Sequence, residues 1–160
     1  MDRKETLSYC LDSLKKAGAD KASCAMSISE KKELNVEIGE MTLLRTTFNT
    51  SMGISVIKDQ KKGSTSINKT DKDSIDAAVK LVLEMAEGSQ PDDAYDISEK
   101  QPPKTFSKGD KSANLDNMYQ SLEEFVDYVN STYPKINLEA AIMDFNHSKL
   151  FFQNTNGVDF

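Results

Sequence analysis

Few side chains in this sequence combine a reactive type with a spacing that catalysis requires. His147 is the single histidine, so a Ser-His-Asp site would have to use it, and a zinc site with two histidine ligands is excluded. Asp144 precedes it by three residues in a pattern typical of strand, turn and strand, where this spacing does not place two ligands on one helix face. We therefore interpret His147 as a solvated residue of a turn.

Two further groups of polar residues favour structural roles. Gly63-Ser64-Thr65-Ser66 lacks the Gly-x4-Gly-Lys-Ser/Thr pattern of a phosphate-binding loop, and its glycine precedes a strand rather than a helix. The adjacent carboxylates Asp92-Asp93 are expected in a loop, and Glu123-Glu124 on a helix. Neighbouring side chains diverge in both settings, so neither pair forms an acid/base couple.

The aromatic residues and cysteines also have a simpler interpretation than a binding site. Phe145, Phe151 and Phe152 could form an aromatic platform for a polymeric ligand, but strands commonly bury such residues. Cys10 and Cys24 are too few for a disulfide framework, and each falls on an apolar stripe, so we expect two buried thiols. The sequence therefore assigns no catalytic, cofactor-binding or metal-ligating residue.

Composition limits the class of protein. The 160 residues carry 20 basic and 26 acidic side chains, a net charge of −6, and the basic residues are scattered, which argues against nucleic-acid binding. The longest apolar run has four residues, at 140–143, whereas a membrane span needs about 20. No apolar stretch follows the first residues as in a secretory signal. The sequence therefore predicts a cytoplasmic protein, folded as one domain over 1–160, with no membrane partner.

The periodicity predicts the elements that must position these residues. A first helix begins at Asp2, with Glu5 as its reciprocal capping partner, and ends near Gly18. Alternating residues then predict strands at 22–28, 34–38, 43–48, 52–57 and 64–67. The turn at 58–63 predicts a hairpin in which Gly63 takes a positive φ.

The second half predicts two helices, an arm and a strand pair. Thr70 begins a helix that Gly88 closes, and a third helix ends at Tyr133-Pro134. Between them, the prolines and sparse apolar residues of 89–110 predict an irregular arm. Strands at 138–145 and 149–153 are expected to be linked by a turn at 146–148. The predicted fold is therefore α+β, with an antiparallel or mixed sheet and helices packed mainly on one face.

The last residues predict a turn and an unfinished strand. Asn154-Thr155-Asn156-Gly157 is a turn signal, and the alternation at 158–160 stops with no further strand to pair with. We therefore expect the sequence to be the N-terminal part of a longer protein.

Several segments, in their order and spacing, resemble the N-terminal domain of the TldD/PmbA family, once described as modulators of DNA gyrase. They are Lys16-Ala17-Gly18-Ala19-Asp20, similar to the Ala-Gly-Ala-Asp signature; Gly53-Ile54-Ser55-Val56; Lys61 to Ser66; the helix through Ala77 and Ala86; and Phe152 to Val158, similar to the Asn-Ser-x-Gly turn with Thr155 in place of serine. The resemblance covers most of the chain and is weakest at 89–110.

The resemblance implies a cytosolic zinc-dependent peptidase system that matures peptides and degrades unfolded polypeptides, assembled as a dimer of related TldD/PmbA-type subunits. The zinc ligands of the family lie in a His-Glu-x-x-x-His helix of the downstream domain, and this sequence contains no such motif. The resemblance thus implies no cofactor for this segment. Two segments, Gly53-Ile54-Ser55-Val56 and Lys62-Gly63-Ser64-Thr65-Ser66, look closer to the PmbA, or TldE-like, branch, whose members commonly lack the metal site. Whether the parent protein is a peptidase or its non-catalytic partner subunit stays open.

Two functions follow as expectations. The first is an N-terminal structural and substrate-channel domain, in which the strand at 64–66 or the strand at 149–153 offers an edge to extended peptides. The second is a free-standing, non-catalytic module that binds a protein partner. An enzyme contained within this segment alone has the least support.

Overall fold

The structure, a computed structural model, describes residues 2–160 as three helices and four strands. The strands form one antiparallel sheet in the order β3-β2-β1-β4, which confirms the predicted α+β class. In chain order the elements are α1 (Arg3–Lys16), β1 (Lys21–Glu37), β2 (Glu40–Lys58), β3 (Lys61–Ile67), α2 (Lys72–Glu87), α3 (Leu115–Thr132) and β4 (Ala140–Asn154). No helix among these described residues is long and apolar enough to cross a membrane.

Three strands are longer than the sequence predicts. β1 and β2 each join two predicted strands, and β4 continues through 146–148, so the turn predicted around His147 is wrong. The physical reason is that polar side chains interrupt the apolar pattern without interrupting the period of two. Within β4 the exposed Asn146 and Ser148 flank a half-buried His147, as alternation requires.

Contacts group the chain into two compact units, of which the first contains residues 2–28, 49–107 and 149–160. Here α1 and α2 pack on the same face of the sheet, against the even-numbered residues of β1 and β2. The core of this unit consists of Leu7, Cys10, Leu11, Leu14, Ala22, Cys24, Met26, Met52, Ile54, Val56, Ile75, Ala78, Val79, Val82 and Ala86.

Helix termini in the first unit follow the predicted capping, with one shift. The Asp2 carboxylate accepts from the Glu5 N–H at 2.8 Å, and the Glu5 carboxylate accepts from the Asp2 N–H at 2.8 Å, which confirms the capping box. The N-cap of α2 is Asp71 rather than Thr70, because the Asp71 carboxylate accepts the Ser74 N–H at 2.9 Å. Gly88 ends α2, as expected.

The second unit contains residues 29–48 and 108–148. Leu122 and Val126 of α3 pack against Leu34 and Val36 of β1, with partly buried neighbours from β2 and β4. Within this unit the nearly buried Glu33 carboxylate accepts from Lys31 at 2.6 Å and from the Arg45 guanidinium.

The arm at 89–110 is irregular, as predicted, yet hydrogen bonds hold its first part to the sheet. The Asp92 N–H donates to the Gln60 carbonyl at 2.8 Å, and Asp96 pairs with Lys21 at 2.6 Å. Further along, the Ser98 carbonyl accepts from Asn154 Nδ2 at 2.8 Å. The arm therefore follows the end of the sheet in the first unit.

Candidate functional site

The β2–β3 hairpin turns through Asp59 and Gln60, whose φ values are +52° and +61°. Two consecutive residues with positive φ between paired Lys58 and Lys61 are the geometry of a two-residue type I′ turn. The prediction that Gly63 supplies the positive φ is wrong, because Gly63 already lies within β3, opposite Val56.

Gly63 instead allows α2 to approach the sheet. A Cβ at this position would lie 2.1 Å from the Val82 carbonyl oxygen and 2.8 Å from the Ala86 nitrogen, both in the backbone of α2. Only a residue without a side chain fits between the strand and the helix. Gly63 therefore allows α2 to pack closely on β3.

β3 is an outer strand of the sheet and exposes part of its backbone. The hairpin places Gly63, Thr65 and Ile67 in the pairs that exchange hydrogen bonds with β2, so the N–H and C=O groups of the alternate residues point away from it. The Lys62 N–H is satisfied by Ser89 Oγ at 3.1 Å. Among the described residues of the first unit, the outward backbone N–H and C=O groups of Ser64 and Ser66 have no such partner. The outward backbone groups of these two residues form the β3 edge.

An open cleft of about 560 Å³ adjoins the β3 edge at Ser66. Its lining carries amides, hydroxyls and one ammonium group, and these can donate to and accept from a peptide backbone. The lining residues are Asn49, Thr50, Ser51, Ser66, Ile67, Asn68, Lys69 and Ser74. Asp71, beside the cleft, has its pKa lowered by hydrogen bonds from Ser74 and by the Lys69 charge, so it is a carboxylate at neutral pH.

The second predicted edge, at 149–153, is partly occupied by the end of the chain. The Phe160 N–H donates to the Phe152 carbonyl at 3.0 Å and its carbonyl accepts the Phe152 N–H, while the two rings stack with centroids 5.1 Å apart. Gln153 also bridges to Asp159. The run at 158–160, for which no pairing strand was expected, therefore pairs with β4.

The turn at 154–157 is an internal hydrogen-bonding centre rather than a ligand site. Asn154 is 4% exposed, and its Oδ1 accepts from the N–H groups of Asn156 and Val158, both at 3.0 Å. Thr155 exchanges hydrogen bonds with Ala22 at the start of β1, at 2.9 and 3.0 Å. The turn resembling the family motif thus ties together β4, β1 and the arm.

The structure does not bring the other polar candidates together into a catalytic group. His147 lies in β4, and Asp144 contacts Lys31 at 2.8 Å. Asp92 Oδ1 accepts the Ala94 N–H within a local turn, and Glu124 accepts from Gln120 on the surface of α3. These contacts are structural, and those of Asp92 and Glu124 are also local.

The phenylalanines do not share one surface either. Phe151 packs against the core of the first unit and lies 5.5 Å below the Arg3 guanidinium, whereas Phe152 stacks on Phe160. Consecutive strand residues face opposite sides, so these two rings cannot form one platform. Phe145 is a half-buried residue of β4.

The cysteines are buried, as expected, and they are neighbours: the Sγ atoms of Cys10 and Cys24 lie 3.3 Å apart. The zinc that the family resemblance implies would need three or four ligands. Among residues 2–160 there is no cluster of three His, Cys, Asp or Glu side chains that could hold a metal, so these residues do not fit a zinc site.

Sequence reasoning missed the cleft beside the β3 edge. Asn49 and Ser51 look like ordinary residues of a strand, and nothing in their spacing relates them to Lys69. A signal was present in Asn68-Lys69, a polar link between a strand and a helix, which is a common position for ligand-binding residues.

Comparisons with known proteins agree on the fold. TldE from Thermococcus kodakarensis is similar, with 19% sequence identity, a TM-score of 0.77, and coverage of 97% of this chain and 36% of that chain. A candidate modulator of DNA gyrase from Bacteroides thetaiotaomicron has 14% identity and a TM-score of 0.74 over 100% of this chain and 38% of its own. Another from Thermotoga maritima has 14% identity and a TM-score of 0.63 over 98% and 36%. The chain thus spans little more than a third of their length.

The two comparisons based on sequence give different results. No match was found among curated proteins. A family model described as PmbA/TldA metallopeptidase domain 1 matches residues 24–86, the part of the chain from β1 through α2. The resemblance drawn from the sequence is thereby confirmed over residues 24–86, which match the model of the first domain of the TldD/PmbA family.

Proposed function

We propose that this chain is the structural and substrate-channel part of a PmbA/TldD-like metallopeptidase system and that it binds extended, unfolded polypeptide at the β3 edge. The observation that carries the proposal is the pair Ser64 and Ser66. Their outward backbone groups lack a partner in the described part of the first unit, and they lie beside an open polar cleft. An added strand would satisfy these groups in the manner of β-augmentation.

The chemistry of the cleft favours binding without sequence selectivity. Asn49, Asn68 and the neighbouring hydroxyls can bond the amide groups that every polypeptide shares. Ile67 is the one apolar residue of the lining, so no deep pocket selects a particular side chain. A surface with these properties suits a system that handles unfolded chains of many sequences.

An NMR titration tests the proposal. An uncharged, blocked peptide of alternating Thr and Val, added to the ¹⁵N-labelled chain, is expected to shift the amide signals of Ser64, Ser66, Asn68 and Lys69. Ser66→Pro should abolish the shifts of the remaining residues, because proline removes an outward N–H while the β2–β3 hydrogen bonds stay intact. Ser66→Ala, which keeps the N–H, is the matched control and should bind like the wild type.

A second ligand separates backbone recognition from side-chain recognition. The same peptide with every residue N-methylated has no backbone N–H to donate and should cause no shifts. Equal binding by Ser66→Pro, equal binding of the N-methylated peptide, or absence of shifts at the β3 edge would each refute the proposal. Unchanged Ile54 and Thr65 signals in both variants would verify that β2 and β3 remain paired.

The wider system is part of the proposal. Zinc and peptide-bond cleavage would belong to a downstream domain, and the partner would be a related TldD/PmbA-type subunit in the cytoplasm. The low-identity similarity to TldE supports the fold of this branch. The PmbA-like sequence of residues 53–56 is consistent with a parent protein that is the non-catalytic subunit.

A second candidate is a free-standing, non-catalytic interaction module. It is favoured by large apolar side chains that stay exposed in the second unit, namely Leu44 at 60%, Phe48 at 74% and Ile142 at 62%. Contiguous exposed apolar patches commonly mark protein contacts, and strand alternation places Leu44 and Phe48 on the same face of β2. Sequencing the natural transcript distinguishes the two: an open reading frame continuing past Phe160 into a larger domain supports the first proposal, and a stop codon there supports the module.

A further inference from the structure

Two thiols meet in the core of the first unit although they come from different elements. Cys10 lies on the buried face of α1, and Cys24 lies in β1, with their Sγ atoms 3.3 Å apart. Their exposed fractions are 0% and 1%. The hydrogen bond from Cys24 to Cys10 and, as the next largest cause, burial raise the pKa of Cys24, so this thiol is protonated at neutral pH.

The geometry points to a covalent modification site: we propose that a two-electron oxidant of the diazene or peroxide class joins Cys10 and Cys24 into a disulfide that links α1 to β1. A disulfide requires an S–S distance of about 2.04 Å, so the two sulfurs have to approach by about 1.3 Å in total. Rotation about the two Cα–Cβ bonds can supply part of this movement, and a small shift of α1 can supply the rest.

The reaction balances with diamide as the oxidant. One cysteine sulfur adds to the N=N bond and gives a sulfenyl hydrazide. The second thiol attacks that sulfur, the S–S bond forms, and the hydrazine leaves with the two protons that the thiols lose. Two thiols are oxidised and one diazene is reduced. With hydrogen peroxide as the oxidant, the two thiol hydrogens combine with the peroxide to form two water molecules.

The burial of the pair determines when this reaction occurs. The thiolate is the reactive species, and a protonated, enclosed thiol reacts slowly. The pair is therefore stable as thiols in a reducing environment and is converted only by sustained oxidation. Once formed, the bond closes a short loop between α1 and β1, which restricts the unfolded chain and stabilises the fold.

The test treats the folded 160-residue chain with diamide in the absence of denaturant. The expected product is a monomer lighter by two hydrogen atoms, and dithiothreitol restores the original mass. Trypsin should release the peptide of residues 5–15 joined to the peptide of residues 22–31, since lysines separate the two cysteines. The oxidised chain should melt at a temperature higher by roughly 5 °C or more.

Cys10→Ala and Cys24→Ala serve as matched controls, and each should abolish the mass change and the rise in Tm. Three outcomes would overturn the proposal: thiols that stay free in the folded chain and react only in urea, disulfide-linked dimers in place of the monomer, or an oxidised monomer that melts below the reduced one. The wild-type mass and peptide map decide the question even if a variant folds poorly.

Discussion

Gly63 illustrates how one missing side chain sets the distance between two elements. The sequence pattern predicts a turn residue at this position. Its role depends instead on the backbone of α2, about 20 residues later, which approaches to within 2.1 Å of the position of an added Cβ. Local patterns cannot reveal such a constraint, because it arises only when the helix is docked.

Gly63→Ala should destabilise the chain by roughly 2–3 kcal/mol, because a methyl group in contact with backbone forces α2 away from β3. Gly53→Ala is the matched control in the neighbouring strand. Its Cβ would meet nothing nearer than the Ala25 carbonyl at 4.0 Å, so the free energy of unfolding should stay within about 0.5 kcal/mol of wild type. Urea unfolding followed by circular dichroism measures both, and equal losses would contradict the packing argument.

Asn154 is the residue whose removal should have the widest local effect. Its side chain is nearly buried; it accepts from two backbone N–H groups and donates to the Ser98 carbonyl. The sequence indicated a turn here, and the motif resemblance marked the segment. The bond to the arm, 56 residues earlier, could not be predicted from either.

Asn154→Ala should lower the free energy of unfolding by roughly 2–4 kcal/mol, since three hydrogen bonds are lost and two N–H groups are left without acceptors. Amide hydrogen exchange should accelerate at Asn156 and Val158. Asn156→Ala, which loses one longer bond of 3.2 Å to Ser98, is the control and should cost less than about 1 kcal/mol. Unchanged exchange in Asn154→Ala would exclude this role.

At the scale of the element, the helices were predictable and the strand lengths were not. The apolar spacing and the capping residues of α1 are local, so its start and buried face follow from the sequence. β1 contains three consecutive charged residues, at 30–32, whose types alone are typical of a turn. They can remain in a strand because Lys31 pairs with Asp144, 113 positions away, and with Glu33 beside it.

The charge network around Glu33 predicts how acid affects the second unit. Hydrogen bonds from Lys31 and the charge of Arg45 lower the Glu33 pKa. A carboxyl group whose pKa is lower in the folded chain stabilises the fold above its unfolded value, about 4.3, and this contribution disappears as the pH falls through the folded value. Stability should therefore decrease on acidification partly through Glu33.

Glu33→Gln should flatten this decrease, measured as the free energy of unfolding between pH 7 and about pH 2. Glu30→Gln is the matched control on the same strand, since Glu30 makes only a 3.6 Å pair with Lys32, and it should keep more of the wild-type dependence. A wild-type acid response in Glu33→Gln would show that the network has no such role.

At the scale of the molecule, the order of weak motifs predicted the family whose first-domain model matches residues 24–86, and two of these motifs mark points where elements meet. Gly63 lies against α2, and the turn at 154–157 joins β4 to the start of β1. The cleft near the β3 edge has no such signature. It is assembled from a mid-strand segment, a strand end and a helix start, and only the folded chain brings Asn49 to Lys69.

The hydrogen bond from the Lys62 N–H to Ser89 has a further consequence for any docked strand. It occupies the outward N–H at the hairpin end of β3, so an incoming chain would be left with the Lys62 carbonyl and the four outward groups of Ser64 and Ser66 and would run on toward the cleft. Four or five bonds at about 1 kcal/mol each correspond to a dissociation constant near the millimolar range. A peptide docked there would therefore be held weakly, in one register, and would dissociate readily.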